Sequence, residues 1–343
     1  MVRMNSVRKL VLMALYCVST GVHATDDKVR AEKGFYGNLL FGGGYLDLKS
    51  NLVSGNKLID IGDDTIQSVN QSPDSNSDVY PSFSGEVNYA FGNRMEAFFG
   101  SSLEDLVTLD LSSRLGIRKE WDEAGVTGIS LLFSGIPGEV WEDPYLAGSP
   151  RNDADRDSRG LRFDWRRIFG SNIYVQISTR DIDIDNERSG TDPALGLTTG
   201  EIQLLRRDGN DSRFALGYRW KNGNHILQPE LIVGATDRDG DALSADTSSA
   251  KLTYGYVGMD WNLAATAQFL NSDFDQANPV YGRKLDSDGY VFNVTTFRNL
   301  AMGHGNWRAF GSLVYADINS DVDFHDASAF GVNLGLAYFF GHK

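Results

Sequence analysis

AFGVNLGLAYFFGHK, residues 329–343, sets Phe330, Val332, Leu334, Leu336, Tyr338 and Phe340 at every second position almost to the end of the chain. Chain ends are usually polar and frayed unless something ties them down. A two-residue period reads as a strand with one apolar face, the other carrying Gly331, Asn333, Gly335, Ala337 and Phe339. Such a face needs an apolar phase against it, and the rest of the sequence says which.

The chain begins with Arg3, Arg8 and Lys9, an apolar stretch from Leu10 to Val18, and the small-residue site Val22-His23-Ala24. This is the layout of a secretory signal peptide over 1–24, cleaved after Ala24, and the stretch is too short for a membrane-spanning helix. Cys17 follows the bulky Tyr16, which argues against a lipoprotein signal, and it is the only cysteine. The mature chain, 25–343, is read as a single domain in which disulfides and thiolate chemistry are excluded. The formal charge of −14 becomes more acidic once the leader is removed, which disfavours nucleic acid as a partner. Beyond the leader no run of about 18 apolar residues exists, so any crossing of a membrane must use strands.

Candidate strands fall near 34–48, 80–91, 95–103, 106–120, 126–135, 160–169, 173–182, 212–221, 225–236, 249–259, 263–271, 289–298, 307–318 and 328–340. That makes about fourteen, with 12 or 16 as the neighbouring alternatives, each near the length a tilted strand needs to cross a bilayer. Their connections sort by parity. Tight ones recur at 92–94, 122–125, 170–172, 222–224 and around 260–262. Long polar ones alternate with them at 51–79, 136–158, 183–211, 237–248, 272–288 and 319–327, with two exceptions: a short connection on the long side at Glu104-Asp105 and a longer one on the short side at 299–306. Outer-membrane barrels have short periplasmic turns and long outer loops, whereas a soluble sandwich has no reason to sort its loops. Within 183–211, Thr198 followed by Glu201 is a capping box that starts a short helix rather than a strand. Trp121, Trp165, Trp220, Trp261 and Trp307 all lie by the short connections, as an interfacial aromatic girdle would; Trp141 alone lies in a long loop.

The expectation is therefore an all-β, antiparallel up-and-down transmembrane barrel in the outer membrane, with the apolar face of 329–343 against lipid. Because a sheet in lipid must close on itself, the last strand is expected to pair with 34–48, where Phe35, Leu39, Phe41 and Tyr45 alternate with small or polar residues. A final strand ending on an aromatic resembles the signal read by the barrel-assembly machinery, although Gly341-His342-Lys343 follow Phe340 here. RDIDIDNERSG (180–190), LLRRDGNDSRFALGYRW (204–220) and FDQANPVYGRKLDSDGY (274–290) resemble an uncharacterised family of Gram-negative outer-membrane barrels, known as a domain of unknown function. The resemblance implies an outer-membrane location and supplies no reaction or ligand.

No enzyme, metal site or cofactor is expected. His325, Asp326 and Ser328 are the one set with the composition of a nucleophilic triad, but they are too close in sequence for the usual relay. DRDGD (237–241) begins like a calcium loop, yet glycine falls at its fourth position and Ser248 stands where the final Glu belongs. More than half of the 46 Asp and Glu lie in the long loops, a solvated surface that divalent cations could bridge to lipopolysaccharide. By strand parity Arg114, Arg118, Arg162, Arg166, Arg180, Arg213 and Arg219 face the lumen, as do Asp110, Asp164, Glu86 and Glu230, which would neutralise some of them. Met259, Leu270, Phe297, Phe310 and Phe339 are assigned to the lumen as well. The function expected is a porin-like channel for small solutes, weakly anion-preferring. The alternatives are an enzyme acting on lipid or polysaccharide and a non-conducting structural or adhesion barrel.

Overall fold

The computed structural model describes residues 28–57, 59–105, 110–300 and 305–341. The leader, with Cys17, and also Val107, Leu109, His304 and His342 lie outside the described residues. Fourteen strands form the wall: β1 (Gly34–Lys49), β2 (Ser75–Ala90), β3 (Met95–Asp105), β4 (Asp110–Trp121), β5 (Gly125–Ile136), β6 (Asp153–Arg166) and β7 (Ile173–Ile184), then β8 (Gly209–Tyr218), β9 (His225–Arg238), β10 (Ala245–Val257), β11 (Trp261–Phe274), β12 (Ser287–Asn299), β13 (Trp307–Ser320) and β14 (Ala327–Phe340). Each pairs antiparallel with the next, and β14 closes the ring on β1 from Gly37↔Phe340 to Lys49↔Ser328. Closure removes both sheet edges, so the ladder leaves no row of backbone groups facing hydrocarbon.

The alternation in sequence becomes the two faces of the wall. On β14, Phe330, Leu334 and Leu336 are exposed on the outside, while Ala329, Asn333 and Ala337 are buried inside. The outer belt continues around the barrel through Phe41, Ile117, Ile129, Leu161, Ile177, Leu216, Leu231, Leu252, Phe269, Phe292 and Leu313, all exposed and apolar. At the short-turn end Trp121 donates to Thr127 Oγ1 (2.8 Å) and Trp165 to the Ala124 carbonyl (2.7 Å). Trp261 packs on Tyr256 and Trp307 on Tyr338, each pair with ring centroids 4.8 Å apart. Indole N–H groups bonded at a rim of apolar rings are what the membrane interface favours. Inside, Gly44 lets Tyr80 lie against β1, since a Cβ there would stand 2.2 Å from the phenol ring. Asn333 then donates to the Tyr80 hydroxyl at 2.7 Å.

Three expectations on detail need correction. The strands run further at the long-loop end than their polarity suggested, β2 from Ser75 rather than 80 and β6 from Asp153 rather than 160. Polarity there reports water around the strand rather than the loss of pairing, because the ladder continues above the bilayer. The short outer connection is not at Glu104-Asp105: both residues belong to β3, which runs to Asp105, β4 starts at Asp110, and 106–109 lie outside the described residues. Met259 is not in the lumen but in the turn after β10, 91% exposed. The helix at Thr199–Gln203 has the capping box read from sequence, with Thr198 and Glu201 bonded reciprocally.

Opposite ends of the barrel should be distinguishable on whole cells. Ser149→Cys, in a long loop, should react with a membrane-impermeant maleimide, and Asn224→Cys, in a short turn, only after the outer membrane is opened. The opposite pattern would invert the topology.

Candidate functional site

The inner wall has two unlike halves. On β2 to β9 it is charged. Arg114 pairs with Glu86 (3.2 Å), and Arg118 bridges Glu86 (3.1 Å) and Glu96 (3.2 Å). The Arg118 guanidinium also lies 3.7 Å from the centre of the Phe98 ring, and Tyr36 donates to Glu96. A planar guanidinium can hold two carboxylates and a ring at once, which lysine cannot. Nearer the outer end Asp211 takes Arg238 (2.9 Å), Arg180 (3.6 Å) and the Thr236 hydroxyl (3.1 Å), with Arg156 and Arg213 within electrostatic reach. Arg162 is buried at mid-height between Ser130 and Ser178 of the adjoining strands. Arg166 and Arg219 are half-buried towards the short-turn end.

Among these seven arginines Arg162 and Arg180 are buried and the others half-buried, in separate groups rather than one ring. Glu86 neutralises arginines as expected. Glu230 instead pairs with Lys251 and accepts from Tyr174 (2.6 Å). The side chain of Asp110 lies outside the described residues. Glu96 stands beside a turn, where a carboxylate has the sequence context of a solvated one, and only the pairing of β3 with β4 sets it against Arg118.

From β10 round to β14 and β1 the inner wall is mainly uncharged. Thr253 and Thr266 (3.0 Å), Gln268 and Ser249 (3.1 Å), and Thr295 and Ser312 (3.0 Å) bond across adjacent strands. Below them Phe297, Phe310 and Phe339 pack with Leu40 and Ala337.

Over the outer mouth the six long loops form a folded cap. The connection after β1 turns into the barrel, where Val53, Ile59 and Ile61 pack on Leu46, Leu48, Tyr80, Val314 and Ala329 of the wall. Above it Ile66, Tyr145, Leu205, Leu285, Val322 and Phe324, from five loops, share one apolar cluster, with Leu243 of the sixth against its side. Two buried charges lock the loops together. Asp143 accepts four backbone N–H bonds, from Tyr145 (3.0 Å), Gly190 (3.0 Å), Thr191 (3.1 Å) and Asp192 (3.2 Å). Arg151 lies 4.3 Å from the centre of the Trp141 ring and donates to the carbonyls of Asn51 (2.9 Å), Pro144 (3.2 Å) and Asp63. Burial brings the Arg151 guanidinium down to about 10, which still leaves it charged at neutral pH.

His325 belongs to this cap. Its Nε2 lies 3.4 Å from the Tyr145 hydroxyl, which accepts from Asn278 (3.1 Å), and burial among aromatic rings holds the imidazole neutral, down to about 3. Asp326 accepts from the Ser320 N–H (2.8 Å), and no hydrogen bond joins it or Ser328 to His325 among the described residues. In 237–241, Arg238 serves Asp211 and Asp241 accepts from Gln276 (2.9 Å). The cap was not read from sequence. Its signal was the scatter of large apolar residues, Ile66, Tyr145, Leu205 and Phe324, through loops otherwise polar.

A closed fourteen-stranded barrel with an apolar belt, a polar inner wall and long loops at one end defines an outer-membrane β-barrel protein. The chain belongs to the family described as protein of unknown function DUF2860, whose sequence model matches residues 34–339. No curated protein matches it. Solved structures to which it is similar include a FadL homologue of Pseudomonas aeruginosa, 12% identical over 90% of each chain with a TM-score of 0.46. An anion-selective porin from Comamonas acidovorans is 10% identical over 90% of this chain and 99% of its own, with a TM-score of 0.40. The outer membrane channel DcaP of Acinetobacter baumannii is 9% identical over 90% and 97%, also with a TM-score of 0.40. The three stretches that carried the family resemblance supply Gly190, Leu205, Asn278, Tyr281 and Leu285 to the cap.

Proposed function

We propose that the protein is a porin-like channel for small solutes whose outer mouth is covered by the folded cap. The observation that carries this reading is the inner wall, lined with charged and hydrogen-bonding groups from the short-turn end to the cap. Eight-stranded barrels are filled by their own side chains and barrels of about 16–18 strands leave a water channel, so fourteen strands leave room for a narrow path. Outer-membrane lipid and lipopolysaccharide against the belt, and assembly machinery reading β14, belong to the same proposal; catalysis does not.

The arginine-rich half supports a weak anion preference. Because Glu86, Glu96 and Asp211 cancel part of the positive charge, the preference should be small and clearest at low salt, where screening is weakest. In planar bilayers under a salt gradient, the wild type should give a reversal potential of anion-selective sign. Changing Arg114, Arg118, Arg162 and Arg166 together to Gln should reverse it, since Glu86 and Glu96 then stand without their cations. A cation-selective wild type, or selectivity unmoved by the four changes, would count against this. The interlocked cap favours, as a second reading, a non-conducting barrel; absence of current steps even after the cap is loosened would select it.

A further inference from the structure

The paired cations of the inner wall have an acid beside them, as Arg118 does. Arg308 does not. It stands on the inward face of β13, one residue from the girdle tryptophan Trp307, opposite Asn299 of β12 and Ala337 of β14. Its guanidinium lies 4.2 Å from the centre of the Phe339 ring. Phe297 is 6.1 Å from Phe339 and 6.1 Å from Phe310, ring centre to ring centre, so the cation sits at the edge of a cluster of three rings. Among the described residues no hydrogen bond or ion pair reaches it, and its Nε is buried without an acceptor. Arg308, Phe297 and Phe339 each keep partial exposure.

A buried donor left unmade is costly, and a guanidinium is built to hold a carboxylate through two parallel bonds. Adjacent rings offer an apolar body a place to stack. We propose that Arg308, Phe297, Phe310 and Phe339 form a lumenal binding site for small amphipathic carboxylates, with the carboxylate on the guanidinium and the ring or alkyl group against the phenyl rings. The site gives the channel reading a solute class and rests on that reading for its meaning, but its occupancy can be tested without any current.

The test is equilibrium binding to the purified, folded full chain in detergent, followed by ligand-observed NMR. The probes are benzoate, its neutral counterpart benzamide, and acetate, which has the charge without the ring. Benzoate should bind at least about tenfold tighter than benzamide, the loss expected when a charge-assisted bond is missing, and several-fold tighter than acetate, which lacks the ring that stacks. Arg308→Gln should abolish the preference for benzoate over benzamide, and Phe339→Leu should weaken both several-fold. Equal affinities of the wild type for benzoate and benzamide, or a preference that survives in folded Arg308→Gln, would overturn the proposal. Should Arg308→Gln not assemble, Phe339→Leu decides, and unchanged benzoate affinity would overturn it. Charge-dependent binding without conductance would keep the site and remove the channel reading; conductance without such binding would remove the site alone.

Discussion

Asp143→Ala should turn the folded cap into free loops. The Asp143 carboxylate is the common acceptor for four N–H groups, one in its own loop and three at 190–192. Removing it leaves the Tyr145, Gly190 and Asp192 N–H groups without that acceptor, while Thr191 keeps the Arg188 carbonyl, and each buried donor left unmade costs roughly 1–3 kcal/mol. The wall does not depend on it, because its ladder closes through β1 and β14. Expected results are a barrel that still shifts on heating in gel electrophoresis, loops at 137–152 and 185–208 that added protease now cuts, and conductance raised several-fold in planar bilayers. Loops that stay protected would mean that Arg151 and the apolar cluster hold the cap without the carboxylate.

Leu334→Arg should block assembly. Leu334 is 64% exposed on the outer face in the middle of β14, opposite Gly43 of β1 and Gly311 of β13, neither of which has a side chain to shelter it. A cation at the bilayer midplane of a barrel strand costs roughly 2–4 kcal/mol. It also falls on the strand that closes the ring. Leu334→Ile, as a control, should assemble normally. The readout is the heat-modifiable fraction recovered from outer membranes, and a normal yield of Leu334→Arg would show that this face does not meet lipid.

The wall was legible because lipid imposes a rule at every second residue. Phe330 to Phe340, with Phe35, Phe41 and Tyr45, could be assigned to one face from sequence alone, and the parity of loop lengths gave the strand number. Boundaries failed where that rule stops. Ser75–Asp78 and Asp153–Asp157 are paired strands standing in water, so their polarity resembled that of loops. The lumenal arginines were found for the same reason as the wall, by parity, yet their partners were only partly found. Glu96 lies across from Arg118 in register on the neighbouring strand, information that sequence spacing does not contain. The cap was hidden altogether, since contacts among loops follow no period. Arg308 was missed because an arginine beside Trp307 has the appearance of an interfacial anchor, and only the closed ring shows that it turns inward.

The folding of the outer loops into one body decides what this protein presents to its surroundings. Asn51 donates to the Phe324 carbonyl although 273 positions separate them, and Asn278 reaches the Tyr145 hydroxyl across 133. The exposed face above the membrane is therefore a discontinuous epitope. An antibody raised against any one loop as a free peptide meets a conformation that the assembled barrel does not display, whereas one selected on the folded protein reads several distant segments at once and loses its target on boiling.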